Sequence, residues 1–331
     1  MSAPARLAAS PAAGAPGGRP VPFHGLIAID KPAGVTSHDV AEEVGRRLGI
    51  PGPGHLGTLD PPATGLLVIA LGAATRCAPV WQGGEKTYEG RLRLGLVTDT
   101  QDLAGRVLEQ HPVRSSEEEL RAAGAALVGE IDQIPPMVSA RRVGGERLYR
   151  IARRGEVVER EARKVRVISW EWGAVALPDA EFRVRCSGGT YVRTLVHDLG
   201  QRLGCGAALA SLRRLRSEPF GLERALTLRA LAALPAHEAW SGYGIPLAQA
   251  LATLPQVTLD EAGAEALGHG GGAKVPEAAA AGVPVGAGPR SVVIRGPDGT
   301  PLALGELERA GTAFQARPHV VFPWAVRQGR G

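Results

Sequence analysis

The sequence predicts a mixed α+β core followed by a small β-rich C-terminal domain, on three observations. Strand-like and helix-like stretches intermix from residue 25 to about residue 203 without the regular alternation that marks a doubly wound parallel sheet. From about Gly244 the composition turns rich in Gly, Ala and Pro, and short strand-like runs follow at 291–294, 302–305 and 320–322. The length, 331 residues, exceeds one typical domain of roughly 100 to 200 residues. No internal repeat is evident.

The elements can be justified in order. Residues 1–22 are nearly all Ala, Pro, Gly and Ser, and Pro4, Pro11, Pro16 and Pro20 interrupt the apolar stretch that a signal peptide needs. They are predicted as a disordered tail. Residues 25–30, Gly-Leu-Ile-Ala-Ile-Asp, read as a short buried strand ended by the turn Lys31-Pro32-Ala33-Gly34. A helix follows, with Ser37 as its N-cap, an apolar stripe at Val40, Val44 and Leu48, and Gly49 as its stop. The loop 51–65 leads into the apolar run 66–71, and residues 86–96 alternate in the manner of a half-buried strand. Residues 117–128 and 191–203 suit helices, while 165–172 and 181–186 suit strands. The domain division falls between 243 and 244.

Composition narrows the function classes. With 44% hydrophobic and 21% charged residues the balance is that of a soluble protein, and the longest apolar run, 66–71, is too short to cross a bilayer. Cys77, Cys186 and Cys205 lie far apart, with no zinc-ligand spacing and no even count, so they read as reduced thiols in a cytoplasmic protein. Net charge is +5, yet from Arg141 to Arg166 ten Lys or Arg face four Glu. That concentration suits a polyanionic partner.

The most informative stretch is 57–66, which holds one carboxylate, Asp60, between glycines and prolines just ahead of an apolar run. A potential nucleophile is thereby placed on a rigid loop, although Asp before Pro is by itself an ordinary turn signal. The order Gly-His-x-Gly-Thr-Leu-Asp-Pro-x-Ala-Thr-Gly over 54–65 resembles the catalytic loop of the TruB family of pseudouridine synthases, which isomerise uridine at position 55 in the T loop of tRNA. Further motifs extend the resemblance over about 25–223. They are Ile-Asp-Lys-Pro-Ala-Gly at 29–34, Lys-Thr-Tyr-Glu at 86–89, Thr-Asp-Thr-Gln-Asp at 98–102, Pro-Pro-Met-Val-Ser-Ala at 135–140 with Tyr149, Ala152 and Arg153, and Gly-Thr-Tyr-Val-Arg-Thr at 189–194.

The resemblance implies a mixed-sheet catalytic domain over 23–243, then a linker and PUA-like RNA-binding domain over 244–331. It implies an essential ionised Asp60, an Arg193 that pairs with it, and a Tyr88 that stacks on the target uracil. The expected substrate-binding set is His55, Lys31, Asp102, Arg141, Arg142, Arg153 and Leu212, with Lys31 also giving structural support beside the site. Without the motifs, Arg193 would read as an exposed helix arginine, Tyr88 as a packed strand residue, Leu212 as core, His55 as a solvated loop residue and Asp102 as a hairpin turn. The sequence departs from the usual pattern at Val138, Arg142, Leu56 and Pro62. No metal, organic cofactor, membrane or obligate protein partner is expected; the expected partner is tRNA, through its T arm and acceptor stem.

Two other readings fit parts of the sequence. One is the catalytic subunit of a guide-RNA-dependent pseudouridylation particle, which shares the Asp60 motif but carries basic tails absent here. The other is an RNA-binding protein that refolds tRNA without chemistry. A glycosidase or phosphatase fits poorly, since the apparent partner of Asp60 is an arginine rather than a second carboxylate.

Overall fold

Strand alternation builds an eleven-stranded mixed sheet that carries the site. The computed structural model describes residues 23–139, 142–148, 151, 154, 156, 158–269, 271–276, 280, 283, 291–310 and 313–328. The predicted N-terminal tail lies outside them. The main path of the sheet runs Leu226–Thr227, Gly25–Lys31, Thr64–Leu71, Ala207–Ser217, Lys86–Leu94, Asp179–Cys186, Arg163–Ala176 and Gly129–Gln133. Thr64–Leu71 pairs antiparallel with Gly25–Lys31 and parallel with Ala207–Ser217, so the sheet is mixed, as an α+β domain requires.

Several strands are longer or shorter than their apolar pattern suggests, among them Arg163–Ala176, which extends past the expected 165–172 at both ends. The strand predicted over 86–96 breaks at Gly95, whose φ of +85° favours glycine and whose Cβ would lie 2.7 Å from the His111 carbonyl. Beyond the break, Leu96–Thr98 and Val107–Gln110 form a separate hairpin. In the C-terminal unit, Pro301–Ala310 and Ala313–Val321 extend well past the apolar runs 302–305 and 320–322. Their outer halves mix the buried Phe314 and Ala316 with polar residues, and Glu306 faces Arg317 across the pair. Single apolar residues set among polar ones leave a weak strand signature.

Two helices close the sheet from one end. Leu195, Val196 and Leu199 of helix Val192–Arg202, with Leu120 of helix Glu117–Ala125, bury Leu92, Leu94, Phe182 and Val184. At the other end Val40, Val44 and Leu48 of helix Ser37–Leu48 cover Ile27, Ile29, Leu67 and Ile69. Thr36, rather than Ser37, is the N-cap of that helix. Its hydroxyl accepts the Asp39 N–H at 3.1 Å while the Asp39 carboxylate accepts the Thr36 N–H at 3.1 Å, a complete capping box. Ser37 is thereby turned inward. Gly49 ends the helix in the left-handed region at φ 68°, as predicted.

The small β-rich C-terminal unit is a five-stranded sheet in the order Gln256–Thr258, Ser291–Arg295, Pro301–Ala310, Ala313–Val321 and Ala273–Val275. Strand Gly244–Pro246 pairs antiparallel with residues Gly25 to Ile27 and so belongs to the first sheet. The predicted division at 243/244 therefore cuts an edge of that sheet, and the change of unit lies beyond it. Leu247, Ala250 and Leu251 join a core shared by Leu26, Leu66 and Val68 from the first sheet and Val293, Leu304 and Phe322 from the second. No helix among the described residues is long and apolar enough to cross a membrane.

Phe322 is fully buried in this shared core. Phe322→Ala is expected to lower stability by about 3–5 kcal/mol, read from chemical denaturation, because the cavity lies between two packed sheets that cannot close on it.

Candidate active site

The loop carrying Asp60 has a problem of hydrogen bonding that its neighbours solve. Pro61 and Pro62 lack N–H groups and the loop is irregular, so its carbonyls cannot be satisfied by a ladder. Lys31, fully buried, donates from Nζ to the carbonyls of Pro32 at 2.9 Å, Pro61 at 3.1 Å and Ala63 at 2.7 Å. Ser37 Oγ donates to the Leu59 carbonyl at 2.9 Å and accepts the Leu59 N–H at 2.8 Å, so one hydroxyl replaces a strand partner for the residue before Asp60. The Ala63 N–H closes the turn on the Asp60 carbonyl at 3.0 Å. Arg214 donates from Nη2 to the Gly57 carbonyl at 3.0 Å and from Nε to the Leu66 carbonyl at 2.7 Å. At Gly65, φ is +97° and a Cβ would lie 2.3 Å from the Arg214 carbonyl, so only glycine fits.

The expected partner of Asp60 is where the motifs put it. Arg193 Nε lies 3.5 Å from Asp60 Oδ2, with the arginine side chain 4% and the carboxylate 38% exposed. That nitrogen is not aligned for a hydrogen bond. The guanidinium is instead anchored on backbone, donating from Nη1 to the Thr100 carbonyl at 3.5 Å and from Nη2 to the Val138 carbonyl. Burial pushes the Asp60 carboxyl above its ordinary value; the charge of Arg193 pulls it down, Asp102 adds to the rise and Lys31 opposes it. Burial likewise pulls Lys31 down to about 8, with Asp60 holding it up and Arg214 pressing it lower.

Tyr88 is almost fully buried within the core that includes Leu59 and Ala63, directly under the loop. Leu212 is partly buried against the same core, and its carbonyl accepts from Thr64 Oγ1 at 3.5 Å. His55 is half-buried in the short strand Gly54–His55, which pairs with Ile69 and Ala70. Asp102 sits in the turn after Thr98, where its carboxylate accepts from Thr100 Oγ1 at 2.7 Å and the Ala104 N–H at 3.0 Å. It thus combines the turn role with a charge that acts on Asp60. Lys31 is fully buried with its donors on loop carbonyls, which fits the structural support expected of it beside the site rather than the substrate contact also expected. Arg141 and Arg153, like Ala140, Tyr149 and Ala152, lie outside the described residues, as does the side chain of Arg142.

Several residues near Asp60 had no motif role in the sequence reading. Tyr191 stands between Arg193, 5.9 Å from its ring, and Arg163, and its backbone N–H and carbonyl are both held by the buried amide of Gln133 at 2.8 and 3.0 Å. A hollow of about 300 Å³ adjoins it, lined by Gln133, Arg163, Lys164, Gly188 and Gly189 among others. Gln101 adopts φ 66° just before Asp102 and accepts from Thr194 Oγ1 at 2.7 Å, tying that turn to the helix of Arg193. A left-handed glutamine beside a carboxylate is legible only in three dimensions. A wider cleft, about 560 Å³, is lined by Glu89, Arg91, Arg183 and Arg213 among others and contains none of Asp60, Tyr88 or Arg193. Strand alternation turns its charged side chains away from Tyr88.

Comparison with known proteins agrees with this arrangement. Residues 46–192 match the description "TruB family pseudouridylate synthase (N terminal domain)" and residues 193–251 match "tRNA pseudouridylate synthase B C-terminal domain". The chain belongs to the TruB family. A protein from Opitutus terrae named tRNA pseudouridine synthase B is 51% identical over 215 residues, which are 65% of this chain and 89% of that protein. One of the same name from Xanthomonas oryzae pv. oryzae is 41% identical over 292 residues, covering 88% of this chain and 92% of the relative. Among solved structures, a chain of a Cbf5-Nop10-Gar1 complex superposes with a TM-score of 0.68 at 27% identity, covering 94% of this chain and 89% of that one.

Two expectations follow from this geometry. A carboxyl whose pKa is raised by folding contributes stability below its ordinary value, and that contribution is lost as pH rises through the folded value. Asp60→Asn, which removes the buried charge, is therefore expected to raise Tm at neutral pH and to lose this advantage at acid pH, in thermal melts across the pH range. Lys31→Met leaves the carbonyls of Pro32, Pro61 and Ala63 without that donor and is expected to cost about 3 kcal/mol in urea denaturation.

Proposed function

We propose that the chain isomerises uridine to pseudouridine in tRNA, at position 55 of the T loop, after flipping the base into the site. The observation that carries this reading is Asp60, held on a clamped loop opposite the anchored charge of Arg193, in a chain of the TruB family. In the reaction the bond from N1 to the ribose C1′ breaks, the base turns, and C5 joins C1′ while the C5 proton leaves and N1 gains one. Nothing is oxidised or hydrolysed, so this chain's residues need only supply charge, orientation and proton transfer. Ionised Asp60 serves as nucleophile or base, Arg193 keeps it ionised when the flipped base displaces water, and Tyr88 presents its ring or hydroxyl to the uracil.

The remaining assignments follow from position. Half-buried His55 displaces the target nucleotide, Leu212 lines the pocket, and Asp102 fixes the turn that anchors Arg193. Arg141, Arg142 and Arg153 meet phosphates, joined by Arg163 and Lys164 at the hollow beside Tyr191. The first sheet and its helices make up the catalytic domain, and the PUA-like C-terminal unit grips the acceptor stem. The reaction belongs to the cytoplasm, where tRNA is matured. Similarity to Cbf5-containing complexes favours a guide-dependent particle as the second reading. The identity to proteins named tRNA pseudouridine synthase B, 51% and 41% against 27%, supports the stand-alone enzyme over it.

The deciding experiment is incubation of the purified protein, without metal or other proteins, with an unmodified tRNA transcript, followed by chemical mapping of pseudouridine. One T-loop signal, absent with Asp60→Asn, is expected; none from the wild type would end the enzyme reading or require a guide. Since Asp60 acts ionised and burial raises its pKa, the acid limb of kcat/KM is expected above the ordinary carboxylate value of about 4. Arg193→Gln, which removes the charge opposing that rise, moves the limb to higher pH.

A further inference from the structure

We propose that Arg214 is a positioning residue of the isomerisation, one guanidinium that fixes the two ends of the catalytic loop against Tyr88. The inference rests on the reading above that the chain forms pseudouridine. Arg214 is 3% exposed in the middle of strand Ala207–Ser217, opposite Gly65 on one neighbouring strand and opposite Tyr88 on the other. Its side chain donates to the carbonyls of Gly57 and Leu66, which bracket Asp60. It stands opposite Tyr88 in the strand register and its charge acts on the Tyr88 hydroxyl, so the strand that carries the tyrosine and the loop that carries the carboxylate are tied through one residue.

The local backbone is shaped for this contact. The register with Lys86–Leu94 shifts between Arg214 and Arg216, an irregularity that re-aims side chains on the strand. Gly65 allows the two backbones to approach at Arg214, where any Cβ would collide. The flanking arginines serve elsewhere: Arg213 pairs with Asp30 at 2.7 Å and Arg216 with Glu218 at 2.8 Å. Only a planar, multiply donating cation can satisfy acceptors in these separate directions, and a lysine reaches fewer of them. Burial raises the Tyr88 pKa, the charge and hydrogen bond of Arg214 oppose the rise, and the charges of Cys186 and Asp60 add to it.

The test measures tritium release from 5-tritiated uridine in tRNA by wild type, Arg214→Lys, Arg214→Met and the surface control Arg216→Gln. Rates are expressed per tRNA-binding site titrated at stoichiometric concentrations, so that an unfolded fraction does not count as lost catalysis. Arg214→Met is expected to lose about 100-fold in kcat and Arg214→Lys about 10-fold, with KM and tRNA affinity held within about threefold and the control unchanged, since small misplacements of reacting groups cost that much. If Arg214→Met does not fold, Arg214→Lys decides by the same criterion. A kcat per site within about threefold of wild type, or a loss confined to KM, overturns the proposal. Absence of tritium release from the wild type sinks the functional reading itself and is recognised separately.

Discussion

Everything at this site depends on donating hydrogen bonds into the backbone of a loop that cannot bond to itself. A proline-bearing turn between two strands exposes carbonyls on both sides, and when the turn is pressed into a core each of them needs a donor. The chain meets the need with buried side-chain donors: Lys31 beneath the centre, Arg214 at the two ends, and the Ser37 hydroxyl at the residue before Asp60. These side chains come from the first strand, the first helix and a strand far along the sequence, so the loop is set only when the whole sheet has formed. Burying a lysine is expensive, as its pKa near 8 records, and the return is a rigid platform that also carries positive charge toward the carboxylate.

The geometry of Arg193 gives that carboxylate freedom of a particular kind. A guanidinium that gripped Asp60 in two parallel hydrogen bonds would hold it ionised and also occupy both its oxygens. Here the guanidinium is tied to the carbonyls of Thr100 and Val138, and only its edge approaches Asp60, at 3.5 Å without hydrogen-bond alignment. The result is a fixed charge beside a carboxylate whose lone pairs stay open to a reacting centre. Preorganised charge of this sort needs no rearrangement when the substrate arrives. Asp102 belongs to the same device, since its carboxylate builds the turn that presents the Thr100 carbonyl to Arg193.

How much of this could be seen in the sequence differs by residue for physical reasons. Periodicity exposed the helix after Ser37, the strand at 25–30 and the apolar run at 66–71, each within a residue or two of the element observed, because their buried faces are continuous. It missed the outer reaches of Pro301–Ala310 and Ala313–Val321, where the buried Phe314 and Ala316 stand singly among polar residues, and composition set the domain division ahead of Gly244–Pro246, a strand that pairs with the first sheet. Asp60, Arg193 and Tyr88 were legible through family motifs, which encode contacts that local spacing cannot. The residue type of Ser37 suits a cap as well as a loop clamp; what separates the two is which of two adjacent hydroxyls faces out. Tyr191 lies inside the motif at 189–194 but only the arginine of that motif has an expected role, while Arg214 and Gln133 carry no local signal, since their partners lie on strands and turns distant in sequence.

Charge placement connects the fold to its polyanionic partner. On strands of the first sheet, Arg93 faces Asp179, Arg183 faces Glu89, Arg185 faces Glu85 and Arg213 faces Asp30, each pair joining neighbouring or nearby strands. Exposed pairs of this kind add little stability. Their consequence is electrostatic: they neutralise arginines on the side of the sheet turned away from Tyr88. The cations concentrated between Arg141 and Arg166 have fewer carboxylates among them, and Arg163 and Lys164 stand exposed at the hollow beside Tyr191. A modest net charge of +5 is therefore unevenly distributed along the chain, with its excess concentrated in this segment.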